Sequence, residues 1–176
     1  MERMPWVERN FCFEIPPEWM VNVLERLEGT VPRLLDLCSG LDEAICVHRL
    51  ENQWSINQHI GHLGDLEQLH ESRVEDFLSR KPVLRAADMS NKQTEDSDHQ
   101  SKTQLELIRN FKMERHRLVD RLKSLDDTTS MFSSLHPRLN KPMKPVDMAF
   151  FVAEHDDHHL ASIRLMINQY KHHGQI

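Results

Sequence analysis

Three histidines carry the chemistry that this chain can do. His62 stands eight residues after Trp54 in WSINQHIGHLGDLE, and His155 and His159 form a pair in AEHDDHHLASI. On an α-helix, positions i and i+4 project from one face, so the pair can reach a single ion. A third imidazole from another helix completes a three-His set whose remaining coordination position is open to water or substrate, as catalytic zinc sites require. His158, at i+3 from His155, offers a competing pairing. His59 has a simpler role, as the residue against which Trp54 packs.

Four helices must hold these side chains, and periodicity predicts each of them. The first follows Pro16 and Pro17, carries Trp19, Met20, Val23, Leu24, Leu27, Val31, Leu34 and Cys38 at spacings of three and four, and stops at Gly40; Pro32 predicts a kink within it. The second begins at Ser55, which forms a capping box with Gln58, while Trp54 at N′ staples onto His59 at N4. Its inward row includes Ile60, Leu63, Leu66 and Phe77, and Lys81 and Pro82 end it. A second capping box, Ser101 with Gln104, opens the third helix, with Ile108, Phe111, Arg115, Leu118, Leu122 and Leu125 in its seam. After the loop HPRLNKPMK, Pro145 enters the first turn of the fourth, which runs through Met148, Val152, His155, His159, Ile163, Ile167 and Tyr170 toward Gly174. Strand signals are almost absent, so the fold class is all-α, a four-helix bundle.

His155 and His159 replace apolar residues in the row of the fourth helix that faces the core. Burying a polar ring without a partner costs about 1 to 3 kcal/mol, so two stacked rings call for a shared partner, and a metal ion is the simplest. Asp65, Asp156 and Asp157 are candidates to accept the second ring N–H of a ligating histidine. Arg115 could bind an anionic substrate group, or lay its stem across apolar surface. His136, Pro137 and Arg138 either shape a loop near the site or terminate the third helix.

Composition removes whole classes of function. The 176 residues make one domain, with a formal charge of −6 from 22 Lys plus Arg and 28 Asp plus Glu. With no long basic run, nucleic acid is not an expected partner. No apolar run nears the roughly 20 residues that span a bilayer, so no membrane partner is expected. Cys12, Cys38 and Cys46 lack CxxC spacing and follow no cleavable signal; they read as packing residues in a reducing cytoplasm.

On WSINQHIGHLGDLE and EHDDHHLASI, the chain resembles the DinB/YfiT-like superfamily of metal-dependent enzymes. LRAADMSNKQTEDSDH and HPRLNKPMKPVDMAFFVAEHDDHH extend the resemblance over nearly the whole chain. It implies one DinB-like domain over 1–176, with 1–16 as an N-terminal arm, and His62, His155 and His159 as metal ligands. It also implies an up-down-down-up bundle whose second and third helices are parallel, joined by a crossover over 81–100. That segment can extend about 65 Å at about 3.3 Å per residue, whereas a helix of 25 residues is about 38 Å long. The cofactors implied are a divalent metal (zinc, nickel or iron) and a low-molecular-weight thiol such as bacillithiol, mycothiol or glutathione. The implied activity is transfer of that thiol to an electrophilic small molecule. Metal-dependent hydrolysis and a non-catalytic, stress-associated binding bundle are the alternatives, and the resemblance also allows a homodimer.

Overall fold

Pro32 divides the first helix. Proline has no N–H and its ring crowds the carbonyl four residues earlier, so the helix cannot run unbroken. In the computed structural model, which describes residues 4–49 and 53–172, α1 (Met20–Glu28) and α2 (Thr30–Leu37) meet at Gly29. The kink expected at Pro32 is therefore a one-residue break three positions before it. Gly40 takes φ 75° just after α2, the left-handed conformation that glycine adopts freely. A short helix that periodicity does not reveal, α3 (Glu43–Val47), follows, capped by the Asp42 side chain on the Ala44 N–H at 2.9 Å.

Helix α4 (Ile56–Leu78) starts as its sequence predicts. Ser55 and Gln58 close a reciprocal capping box, and Trp54 lies 5.5 Å from the His59 ring. The connection after α4 is more structured than its polar composition suggests, containing α5 (Lys92–Asp96) and a 3₁₀ turn at His99–Ser101. Helix α6 (Gln104–Lys123) is capped two residues later than expected. The box is Thr103 with Glu106, not Ser101 with Gln104, because Ser101 lies inside the 3₁₀ turn and donates to Asp98 O.

After α7 (Asp127–Ser130), the stretch read as a loop contains a small antiparallel hairpin, β1 (Ser134–His136) with β2 (Lys141–Met143). Its three-residue strands and the prolines at 137 and 142 give no alternating pattern to read. The start of the crossover docks on it, with the Leu84 N–H donating to Leu135 O at 3.0 Å and the Leu135 N–H to Pro82 O at 2.8 Å. Helix α8 (Pro145–His172) has Pro145 at its first position as predicted. Its expected end near Gly174 lies outside the described residues.

Two apolar clusters fix the directions of the bundle helices. One joins Val23 and Leu27 to the end of α4 (Val74, Phe77), the end of α6 (Leu118, Leu122) and the start of α8 (Met148, Val152). The other joins Val31 and Leu34 to the start of α4 (Ile56, Ile60), the start of α6 (Leu107, Phe111) and the end of α8 (Ile163, Tyr170). The α1/α2 unit and α8 thus run one way and α4 and α6 the other, an up-down-down-up four-helix bundle. The crossover returns the chain to the start of α4, where Asn57 Nδ2 donates to Lys102 O at 2.8 Å. A Cβ at position 61 would sit 2.4 Å from His99 Nδ1, so Gly61 lets that ring lie directly on α4.

Between the clusters lies a buried layer of charge. Arg115, 1 % exposed, donates from Nε and Nη2 to Glu67 at 2.9 and 2.8 Å, and both terminal nitrogens donate to Asp156. Thr30 Oγ1 donates to the same Asp156 at 2.7 Å. Neither reading of Arg115 made from the sequence holds: it is neither a substrate-facing cation nor a stem lying along the surface, but the hub of an internal ion cluster. A buried guanidinium needs full pairing, and two carboxylates supply it.

Candidate metal centre

Helix α4 contributes His62 and α8 contributes His155 and His159, and the structure brings the three together. One nitrogen from each lies within 4.8 Å of the others, and all three residues are buried. The Nε2 atoms of His155 and His159 are 3.1 Å apart. The His62 ring centre is 5.3 Å from that of His155 and 4.9 Å from that of His159.

The crossover fixes the tautomer of His62. Thr94 Oγ1 is 3.0 Å from Asp65 Oδ2, and a carboxylate only accepts, so the single hydroxyl proton goes to Asp65. Thr94 must therefore accept from His62 Nδ1, 2.9 Å away, which leaves Nε2 with its lone pair. His99 Nε2 lies 2.9 Å from the same Asp65 oxygen. Asp65 thus supports His62 through Thr94 rather than directly. The other two aspartates do not reach the imidazoles: Asp156 faces Arg115 and Thr30, and Asp157 pairs with Arg26 and Arg33. His59 Nδ1 lies 2.8 Å from His159 Nδ1, a contact beyond its stapling role. His155 Nδ1 is buried without a hydrogen-bond partner among the described residues, and its ring packs edge-on against Trp6 at 5.0 Å.

Burial keeps these rings neutral. It lowers His62 to about 4 against the opposing pull of Asp65, and it pushes His155 and His159 well below the usual imidazole range. The unfolded chain, with histidines near 6.5, takes up protons first on acidification. Stability from the neutral rings is complete above about pH 6.5 and is lost as the pH falls toward 4. The metal-free protein is expected to lose about 3 kcal/mol over that interval from His62 alone. Urea midpoints measured from pH 7 to 4 check this, and a flat profile would contradict it.

The histidines form part of the wall of a cavity of about 520 Å³. Trp6 and Trp54 flank them, and Leu66, Leu69, Phe151 and Val152 supply apolar lining. The N-terminal arm is held in place by Asp147, whose Oδ1 accepts from the Glu14 and Ile15 N–H groups at 3.1 and 2.9 Å. His136, Pro137 and Arg138 line the cavity, as do Ala86, Ala87 and Asp88 of the crossover.

Sequence reasoning missed His70 and Arg73. Residues 62, 66, 69 and 73 follow the helical repeat along one face of α4, and that spacing was the available signal. His70 Nδ1 lies 3.3 Å from Glu67 Oε1. Burial favours protonation of Glu67, but Arg115 and hydrogen bonds from His70 and Arg115 outweigh it and hold Glu67 near 2, so it stays ionised. An ionised carboxylate only accepts, so His70 Nδ1 carries a proton, and in the neutral ring Nε2 is the acceptor. Cys38 and Cys46 are buried thiols pushed up to about 12 and 11 by burial, consistent with packing, whereas Cys12 is exposed and is not a packing residue.

No helix among the described residues is long and apolar enough to cross a membrane. Among solved structures, the chain is similar to YfiT from Bacillus subtilis, described as a probable metal-dependent hydrolase with an unusual four-helix bundle topology. The TM-score is 0.78 at 18 % identity, over 93 % of this chain and 94 % of that one. It is also similar to the mycothiol-dependent maleylpyruvate isomerase, with a TM-score of 0.67 at 11 % identity, over 87 % of this chain and 63 % of that one. At such identities the likeness is one of fold. Among curated proteins none matches in sequence. The model of the DinB superfamily matches residues 26–163, a span that contains all three histidines, and the chain belongs to that superfamily.

Proposed function

We propose that this protein is a metal-dependent enzyme that transfers a low-molecular-weight thiol to an electrophilic small molecule, with His62, His155 and His159 holding a divalent ion such as zinc, nickel or iron. One observation carries the reading: three buried, neutral imidazoles converge at the wall of a cavity large enough for a small substrate. Ligand atoms at about 2.0 to 2.1 Å from a tetrahedral ion are roughly 3.3 Å apart, close to the separation of the two Nε2 atoms on α8. When bound, such an ion supplies Lewis acidity and lowers the pKa of a thiol or water placed beside it.

The chain's own residues do the rest. Trp6 and Trp54 pack against the imidazoles, with Trp54 stacked on His159 at 6.1 Å, and limit water on that side. His70 presents Nε2 on the cavity lining and takes the proton released by the nucleophile, while Glu67 fixes its orientation. A second reading, metal-dependent hydrolysis, draws on the same pair, with water in place of the thiol as the proton donor to His70. The name of the isomerase that shares the bundle supports the first reading and the description of YfiT the second.

The test is thiol consumption by the zinc-loaded protein with 1-chloro-2,4-dinitrobenzene and glutathione or bacillithiol. Turnover that disappears on metal removal, and that falls in His70→Gln with metal content unchanged, supports thiol transfer. Ester turnover without thiol supports hydrolysis instead, and stoichiometric metal with neither activity overturns both.

A further inference from the structure

Away from the three histidines, the same cavity holds a group of hydrogen-bond donors that lack acceptors. Arg73 is 2 % exposed and His136 is 3 % exposed, and both line the cavity with Arg138. Arg73 Nη2, Arg138 Nη2 and His136 Nε2 are all buried without a hydrogen-bond partner among the described residues. The proton on His136 can be placed, because its Nδ1 accepts from the Leu139 N–H at 3.3 Å and the neutral ring therefore carries hydrogen on Nε2. All three orphaned atoms are thus donors.

Nearby acids do not answer them. Arg73 Nε donates to Arg85 O, and no ion pair is made by Arg73 or Arg138 among the described residues. Asp76, the acid whose field reaches Arg73, accepts instead from Lys81 and from the side chain and backbone of Arg85. Asp88, exposed at the cavity rim, accepts from Ser90 and the Lys92 N–H. Each guanidinium lowers its neighbour: burial first and then Arg73 and Arg138 bring His136 down to about 3, and Arg138 acts the same way on Arg73. Leaving such groups unpaired in the interior is costly, and the economical answer is a ligand that only accepts.

We infer that Arg73, Arg138 and His136 form a carboxylate-binding subsite that anchors an amphipathic monocarboxylate, with its apolar body along the cavity and its reactive end toward the histidines. The position suits that role. The His136 ring is 5.3 Å from Phe151, and Phe151 precedes His155 by one turn of α8, a rise of about 6 Å. Leu66, Leu69 and Val152 line the cavity and offer apolar surface to the ligand body. This inference rests on the cavity and deepens the proposed function by naming the substrate class, but it does not need the thiol chemistry.

Two probe pairs test it by NMR titration of the full chain. One pair is 4-phenylbutyrate and its primary amide with metal-free protein, where no carboxylate can coordinate an ion. The other is 4-mercaptobutyrate and its amide with zinc-loaded protein. A hydrogen bond to a charged group is worth about 1.5 kcal/mol or more, so the acid is expected to bind about tenfold tighter than its amide in at least one pair. The pair that shows the preference identifies the carrier: the electrophile if phenylbutyrate, the thiol if only mercaptobutyrate. Arg138→Gln and Arg73→Gln should bring the acid to the level of the amide and leave amide binding unchanged. If Arg73→Gln does not fold, Arg138→Gln decides alone. An acid no tighter than its amide in both pairs, or a preference undiminished in the folded variants, overturns the subsite. Because the phenylbutyrate arm contains neither thiol nor metal, its outcome stands apart from that of the transferase assay.

Discussion

Replacing Arg115 with methionine is expected to lower the free energy of unfolding by about 3 to 5 kcal/mol. Methionine has similar reach and fills the space, so lost packing is the smaller part of the effect. The larger part is that Glu67 and Asp156 remain buried without the cation to which both are bonded. The triple variant Arg115→Met, Glu67→Leu, Asp156→Leu removes the charges together and is expected to recover much of the loss, since buried ion clusters contribute little beyond well-packed apolar groups of the same size. Urea unfolding of both variants decides the matter. A single-variant loss below about 1 kcal/mol, typical of an exposed ion pair, would show that the cluster is solvated.

The second large effect concerns metal affinity. His159→Ala removes one of three convergent imidazoles together with the ring that contacts His59. Altering groups that merely orient a metal-binding histidine costs about 10- to 100-fold in affinity, so loss of a ligand should exceed that. Thr94→Val, which deletes the acceptor of His62 Nδ1, should fall within that range and leave a measurable site. Competition with a chelator of known affinity ranks the two variants, and elemental analysis gives the stoichiometry. If His159→Ala binds metal as tightly as the parent, the ion is held elsewhere.

The helices and the His155/His159 pair were legible for the same reason, whereas His62 joined the pair through the family resemblance. Spacings of three and four report which residues share a face, and a capping box reports where a face begins, so Ser55 and Gln58 located α4 to the residue. Periodicity says nothing about partners across helices. Arg115 lies in an apolar row, but its role depends on Glu67 and Asp156, 48 and 41 residues away. Thr94 and His99 were hidden because the crossover is too short in each element to show a repeat. The hairpin was hidden for a like reason, since Lys141–Met143 pairs only with Ser134–His136, whose Leu135 docks against Pro82 and Leu84. Arg73 was visible by position and was passed over because nothing local reveals that its guanidinium lacks a counter-ion.

Helix α8 supplies two of the three histidines, Asp156, and the closing member of both apolar clusters. Of the described elements, a ribosome makes that helix last. Until it emerges, the nascent chain has Arg115 and Glu67 without Asp156, His62 without its companions, and two open greasy surfaces along α4 and α6. The interior can close only once α8 has left the ribosome, so a chaperone is the natural guardian of those surfaces in the interval.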